Sequence, residues 1–122
     1  MRPIASILVI DDNAETLETL GSLLSVLGTK TVCQAESAER ALEILKTESF
    51  SLIISDYMLE GMNGIEFLEQ LRAQGNQTPI LLLSGAPDKA GVLRATSHQN
   101  VDFFGKPFQM AELMGAVERL AA

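Results

Sequence analysis

The sequence predicts an α/β fold: a doubly wound, five-stranded parallel sheet in the order 2-1-3-4-5, with helices on both faces. Three observations lead there. Short continuous apolar runs at 7–10, 52–54 and 80–83, each bounded by polar or turn residues, suit strands buried on both faces. Helical patterns lie between the strand-like runs, so strand and helix alternate five times, as a sheet of right-handed crossovers requires. A chain of 122 residues, 47% hydrophobic and 20% charged, fits one folded domain over 1–122 with a real core.

The elements come in order. Ile7-Leu8-Val9-Ile10 is apolar throughout and leads into a helix with Leu17, Leu20, Leu24 and Leu27 on one face and Gly28 as its C-terminal cap. Thr31-Val32-Cys33-Gln34-Ala35 is β-prone but less apolar, as an edge strand would be. Ser37 can cap the next helix, which turns Ala38, Ala41, Leu42 and Leu45 inward. Leu52-Ile53-Ile54 is the third strand, and Ile65, Leu68 and Leu71 mark a third helix that Gly75 stops. Ile80-Leu81-Leu82-Leu83 is the fourth strand. The segment 87–98 is a fourth helix weakened by Gly91 and Thr96. Val101-Asp102-Phe103-Phe104 is a second edge strand, and Leu113, Val117 and Leu120 line the last helix. With the most apolar strands central the order is 2-1-3-4-5, a known doubly wound arrangement. Its ligand crevice opens where the first and third strands diverge.

Composition excludes several functions. Nine basic against sixteen acidic side chains give a net charge of −7, which repels phosphate backbones and argues against direct nucleic-acid binding. No apolar run approaches the ~18 residues that span a membrane. The apolar start is cut off by Asp11-Asp12, too early for a secretory signal, so a cytoplasmic location is expected. The single Cys33 forms no internal disulfide, and lone His98 has no partners for a zinc set.

The chemistry lies at the strand ends. The first run ends in Asp11-Asp12, the third in Ser55-Asp56, the fourth in Ser84 and the fifth in Gly105-Lys106-Pro107. A parallel sheet brings all these ends to one edge, where three carboxylates, a hydroxyl and an ammonium would converge. Each piece alone has a plainer reading: Asp11-Asp12-Asn13 as the acidic start of a helix, Asp56 as a loop aspartate, Ser84-Gly85 as a turn, Lys106 as a solvated charge. Four strands delivering polar groups to one edge is harder to ascribe to chance. Crowded carboxylates repel, and a hard cation such as Mg²⁺, held by one or two carboxylates with waters and a phosphate oxygen, relieves the repulsion. A carboxylate beside that ion can attack a phosphoryl group and become an aspartyl phosphate. The metal, Lys106 and Ser84 would then neutralise the equatorial oxygens.

These residues resemble the receiver domain of bacterial two-component response regulators, a flavodoxin-like fold. The matching pieces are Ile10-Asp11-Asp12-Asn13, the run from Asp56 through Tyr57, Met58 and Leu59 to Asn63-Gly64, Leu83-Ser84-Gly85, and Lys106-Pro107-Phe108. The resemblance covers nearly the whole chain. It implies that Asp56 is the phospho-acceptor, Asp12 a direct Mg²⁺ ligand, Asp11 an acidic partner acting mainly through water, and the Met58 backbone carbonyl a third protein ligand. It implies that Ser84 is the switch hydroxyl and Lys106 the catalytic lysine. Phe103 matches the switch aromatic or is a plain core residue, and both readings stand at this point. The phosphoryl donor implied is a sensor histidine kinase or phosphotransfer domain, and the face that responds is the fourth helix, fifth strand and fifth helix. No output domain is expected, and no catalysis beyond the domain's own phosphorylation and dephosphorylation. Glu60 stands where the family usually has proline, and Gln99-Asn100 where Gly-Ala is common; Asn100 still tolerates a left-handed turn. Met58 and Ala86, at the family's two hydrolysis-tuning positions, carry no group that could orient a water.

Three other readings compete. A phosphohydrolase working through an aspartyl phosphate would carry Asp-x-Asp after the first strand and a covering cap, and this chain has neither. Flavodoxin-type electron transfer would want a glycine- and hydroxyl-rich phosphate loop where Asp11-Asp12 stand. A degenerate receiver serving only as a protein-binding module would not need the intact acidic set.

Overall fold

The computed structural model describes residues 6–26, 28–29, 31–59, 61–84, 97–98, 100–105 and 109–121. Within them the elements run β1 (Ser6–Ile10), α1 (Ala14–Val26), β2 (Thr31–Ala35), α2 (Ala38–Leu45), β3 (Leu52–Asp56), α3 (Gly64–Ala73), β4 (Ile80–Ser84), β5 (Val101–Gly105) and α4 (Met110–Ala121). All strand pairs are parallel and the order is β2-β1-β3-β4-β5, as the hydropathy of the runs predicts. The expected helix over 87–98 lies outside the described residues, apart from Ser97 and His98. Leu27 lies outside them too.

The apolar runs are continuous because the sheet has two covered faces. Leu8, Ile10, Ile53, Ile80 and Leu82 point into a layer with Ala38, Ala41 and Ile44 of α2 and Ile65, Phe67, Leu68 and Leu71 of α3. Their alternates Ile7, Val9, Leu52, Ile54, Leu81 and Leu83 point the other way, onto Leu17, Leu20 and Leu24 of α1 and Leu113, Ala116 and Val117 of α4. Successive strand residues face opposite sides, so a strand with helices above and below has no solvent-facing position left for a polar side chain. β2 and β5, at the edges, are only partly covered.

Helix ends obey local chemistry. Ser37 caps α2 by accepting from the Arg40 N–H at 3.1 Å. Asn63 and Glu66 form a reciprocal capping box at the start of α3. Gly28 and Gly75 adopt positive φ beyond α1 and α3, and the Thr29 and Asn76 N–H groups reach back to the Leu24 and Leu71 carbonyls. The half-buried Arg72 guanidinium donates to the Asn76 and Thr78 carbonyls at 2.8 and 2.9 Å, fixing the approach to β4. Burial lowers the pKa of that guanidinium below its ordinary value.

The structure changes three sequence expectations. In α2 the buried positions are Ala38, Ala41 and Ile44, with Leu42 and Leu45 flanking that stripe half-buried. In α3 Phe67 joins the inward face and, among the described residues, is the bulkiest side chain with no solvent contact. Ser55, Asp56, Ser84 and Gly105 belong to the strands themselves, because the parallel ladder continues past the apolar runs. Phe67→Ala should therefore cost ~3–5 kcal/mol in urea unfolding. Val26→Ala, at an 82% exposed residue, should stay within ~0.5 kcal/mol.

Candidate metal and phosphoryl site

Strand register assembles the site. Ile10 pairs with Ser55, so Asp11 comes directly beside Asp56, the last residue of β3. Asp56 pairs with Leu83, one residue before Ser84, and Ser84 pairs with Gly105. Four neighbouring strands thus end along one edge, which holds the crevice between β1 and β3 where the winding reverses.

Each carboxylate is set differently. Asp11 is 3% exposed. Its N–H donates to the Ala35 carbonyl at 3.1 Å, and its Oδ1 accepts from the Asn13 N–H at 2.9 Å. Asn13 in turn caps α1, its Oδ1 accepting from the Glu15 and Thr16 N–H groups at 2.9 and 3.2 Å. The acidic stretch is therefore both a helix start and part of the cluster. Asp12 is exposed, and Asp56 is intermediate. One oxygen from each of Asp11, Asp12 and Asp56 lies within 4.8 Å of the others, and among the described residues this is the group whose spacing suits a metal ion. Opposite ligands of an octahedral Mg²⁺ stand ~4.2 Å apart. Three hard carboxylate oxygens at this spread fit a small, hard divalent cation.

The loop after Asp56 is anchored on both sides. The Tyr57 N–H donates to the Leu83 carbonyl at 2.7 Å, and its carbonyl accepts from the Gly64 N–H at 2.9 Å. The buried Ser55 hydroxyl donates to the Asp56 carbonyl at 2.9 Å. Gly64 opens α3 against this turn: a Cβ there would stand 2.8 Å from the Asp56 carbonyl oxygen and 3.1 Å from the Tyr57 Cα. Met58 is 65% exposed in the same loop. Ser84 is fully buried at the end of β4, and Phe103 is half-buried on β5. Asn100 has a φ of 60°, the left-handed turn its side chain tolerates. His98 stands 3.7 Å from Glu69 of α3, away from the acidic cluster.

Of the residues singled out from sequence, the structure brings Asp11, Asp12 and Asp56 together and sets Ser84 at the same edge. Lys106, Glu60, Ala86 and Gln99 lie outside the described residues. Sequence reasoning missed the packing role of Gly64 and the ring contact of Tyr57. The first had a signal, a glycine directly after the Asn63 cap.

Known proteins share this fold. A family model described as response regulator receiver domain matches residues 7–118. The response regulator protein TodT of Pseudomonas putida is 34% identical over 111 residues, 91% of this chain and 48% of that protein. The probable chemotaxis protein CheY of Rhizobium etli is 29% identical over 114 residues, 92% of this chain and 88% of that protein. The crystal structure of a response regulator receiver protein from Pseudomonas putida superposes with a TM-score of 0.88 at 26% identity, covering 98% of this chain and 99% of that one. The chain spans about half the length of several curated relatives it matches, TodT among them.

Gly64→Ala should destabilise the domain by ~1–3 kcal/mol in urea unfolding, because backbone crowds the new methyl. Gly115→Ala, in α4 with nothing within 4 Å of its Cβ, should instead stabilise by ~0.5–1 kcal/mol.

Proposed function

The chain belongs to the response-regulator receiver-domain family, and on that premise we propose that it is a phosphorelay switch whose acceptor is Asp56. The cluster of Asp11, Asp12 and Asp56 at one sheet edge is the observation that carries this reading. Asp12, Asp56 and the Met58 carbonyl would hold Mg²⁺ directly, with Asp11 acting mainly through water. When bound there, such an ion would supply positive charge against the transferring oxygens.

The phosphoryl donor is the phosphohistidine of a sensor histidine kinase or phosphotransfer domain. An Asp56 oxygen attacks phosphorus in line. The new O–P bond forms as the P–N bond breaks, and that bond's electron pair returns to the histidine nitrogen. Ser84 and Lys106 donate to the equatorial oxygens, and recruitment of the Ser84 hydroxyl opens space for Phe103 to move inward. The response is read on the face that includes β5 and α4 by a downstream protein. Water later cleaves the acyl phosphate, so the domain catalyses only its own phosphorylation and dephosphorylation. A cytoplasmic location accords with a kinase donor.

With a small phosphodonor and Mg²⁺, intact-mass analysis should find one added phosphoryl group. Asp56→Asn or chelation should abolish it, and Asp12→Ala should weaken Mg²⁺ affinity roughly tenfold or more in a calorimetric titration. Labelling that persists in Asp56→Asn would overturn the acceptor assignment.

Signal lifetime depends on the exposed Met58, which offers no donor or acceptor to an attacking water and is long enough to cover the phosphoryl group. Met58→Asn with Ala86→Glu should speed phosphoryl loss by up to ~10²-fold at saturating Mg²⁺, with metal affinity nearly unchanged. A decay rate at or below the parent's would refute it.

A further inference from the structure

Tyr57 connects the proposed acceptor to the far edge of the sheet. Its backbone is fixed to β4 through the Leu83 carbonyl and to α3 through the Gly64 N–H. Its ring, half-buried, meets the ring of Phe103 on β5, with centroids 5.7 Å apart and planes inclined at 58°. That separation and tilt fall in the attractive range for aromatic pairs. Both rings lean on the layer built by α2 and α3. β5 continues the connection: the Phe103 N–H donates to Asp102 Oδ1 at 2.9 Å, and the other oxygen of Asp102 pairs with Arg119 of α4. A side-chain path therefore runs from the residue after Asp56, across β4, to the last helix.

We propose that the Tyr57–Phe103 ring contact is a coupling element, through which a change at the Asp56 carboxylate reaches β5 and α4. The backbone hydrogen bonds on either side of Tyr57 limit how a shift of Asp56 can be absorbed, so the ring carries part of it. Tyr57 is then a positioning residue: it acts through Phe103 and touches no reacting atom. This path acts beside any movement of the Ser84 hydroxyl, and it rests on the reading of Asp56 as the acceptor. Coupling of this kind is reciprocal, so altering Phe103 must alter affinity at the acidic site, and more strongly while the Tyr57 ring is present.

The test is a double-mutant cycle on ligand affinity. The parent, Tyr57→Leu, Phe103→Leu and the double variant are titrated with beryllofluoride at saturating Mg²⁺. Amide resonances of Asp11, Asp12 and Asn13 read the site, and those of Val101 to Gly105 read β5. Phe103→Leu should change the apparent affinity by about twofold to tenfold in the parent, the range an aromatic pair supports. It should change it clearly less in the Tyr57→Leu background, where only the Ser84 route remains. Tyr57→Leu should keep the site shifts and weaken those of β5, while Tyr57→Phe, which keeps the ring, should behave as the parent. An equal effect of Phe103→Leu in both backgrounds, or a full β5 response in Tyr57→Leu, would overturn the proposal. Tyr57→Met takes the place of Tyr57→Leu if that variant does not fold. Intact-mass analysis of phosphodonor-treated parent keeps the two ideas apart. Phosphoryl uptake at Asp56 without ring coupling rejects only the coupling, whereas a parent that takes no phosphoryl rejects the acceptor reading and the coupling with it.

Discussion

A strand paired in parallel with its neighbour cannot be joined to it by a tight turn, so each connection must cross over the sheet and cover one of its faces. In this chain that requirement determines nearly everything else. The crossovers lay α1 on one side and α2 and α3 on the other, and α4, which follows β5, joins α1, so β1, β3 and β4 lie between two dry layers. Polar side chains are expelled from the strand interiors and admitted where a strand ends. Because all strands point the same way, those ends share one edge. Asp11, Asp12, Asp56 and Ser84 are gathered by topology, at the cost of crowding like charges that the protein must then offset.

What could be read from sequence was what depends on one strand or helix at a time. The runs at β1, β3 and β4 gave away central strands because two covered faces leave no polar positions, and the mixed composition of β2 and β5 gave away the edges. The acidic cluster was legible for the same reason, since strand direction alone brings those residues together. What depends on two elements meeting was not legible. Periodicity placed Leu42 and Leu45 inward in α2, yet the stripe that packs on the sheet is Ala38, Ala41 and Ile44, with Leu42 and Leu45 at its flanks. The Tyr57–Phe103 contact depends on residues 46 positions apart meeting across β4, which no local pattern records.

The loop that joins β3 to α3 shows how two demands are met at once. It must hold the Asp56 carbonyl close to the start of a helix, and, on the proposed reading of Asp56 as the acceptor, it must leave the carboxylate open to solvent and partner. Gly64 meets the first demand by omitting a side chain where backbone approaches, and the Asn63–Glu66 box satisfies the helix end without help from the site. The exposed Met58 lies on the open side of the same loop. Rigid support beneath and a bare surface above is the arrangement a transfer site needs, because precision belongs to the acceptor while access belongs to the donor.

The separation of the core into two layers has a consequence for how such a chain can change over time. Packed layers on opposite faces of a sheet do not share a cavity, so a loss of volume around Leu113 or Val117 is not felt as a void around Phe67 or Leu68. Substitutions that far apart act nearly independently. Either layer can then be remodelled in small, individually tolerable steps while the strands between keep their register. A lineage could revise the surface that α4 presents, residue by residue, without passing through sequences in which the carboxylates fall out of line.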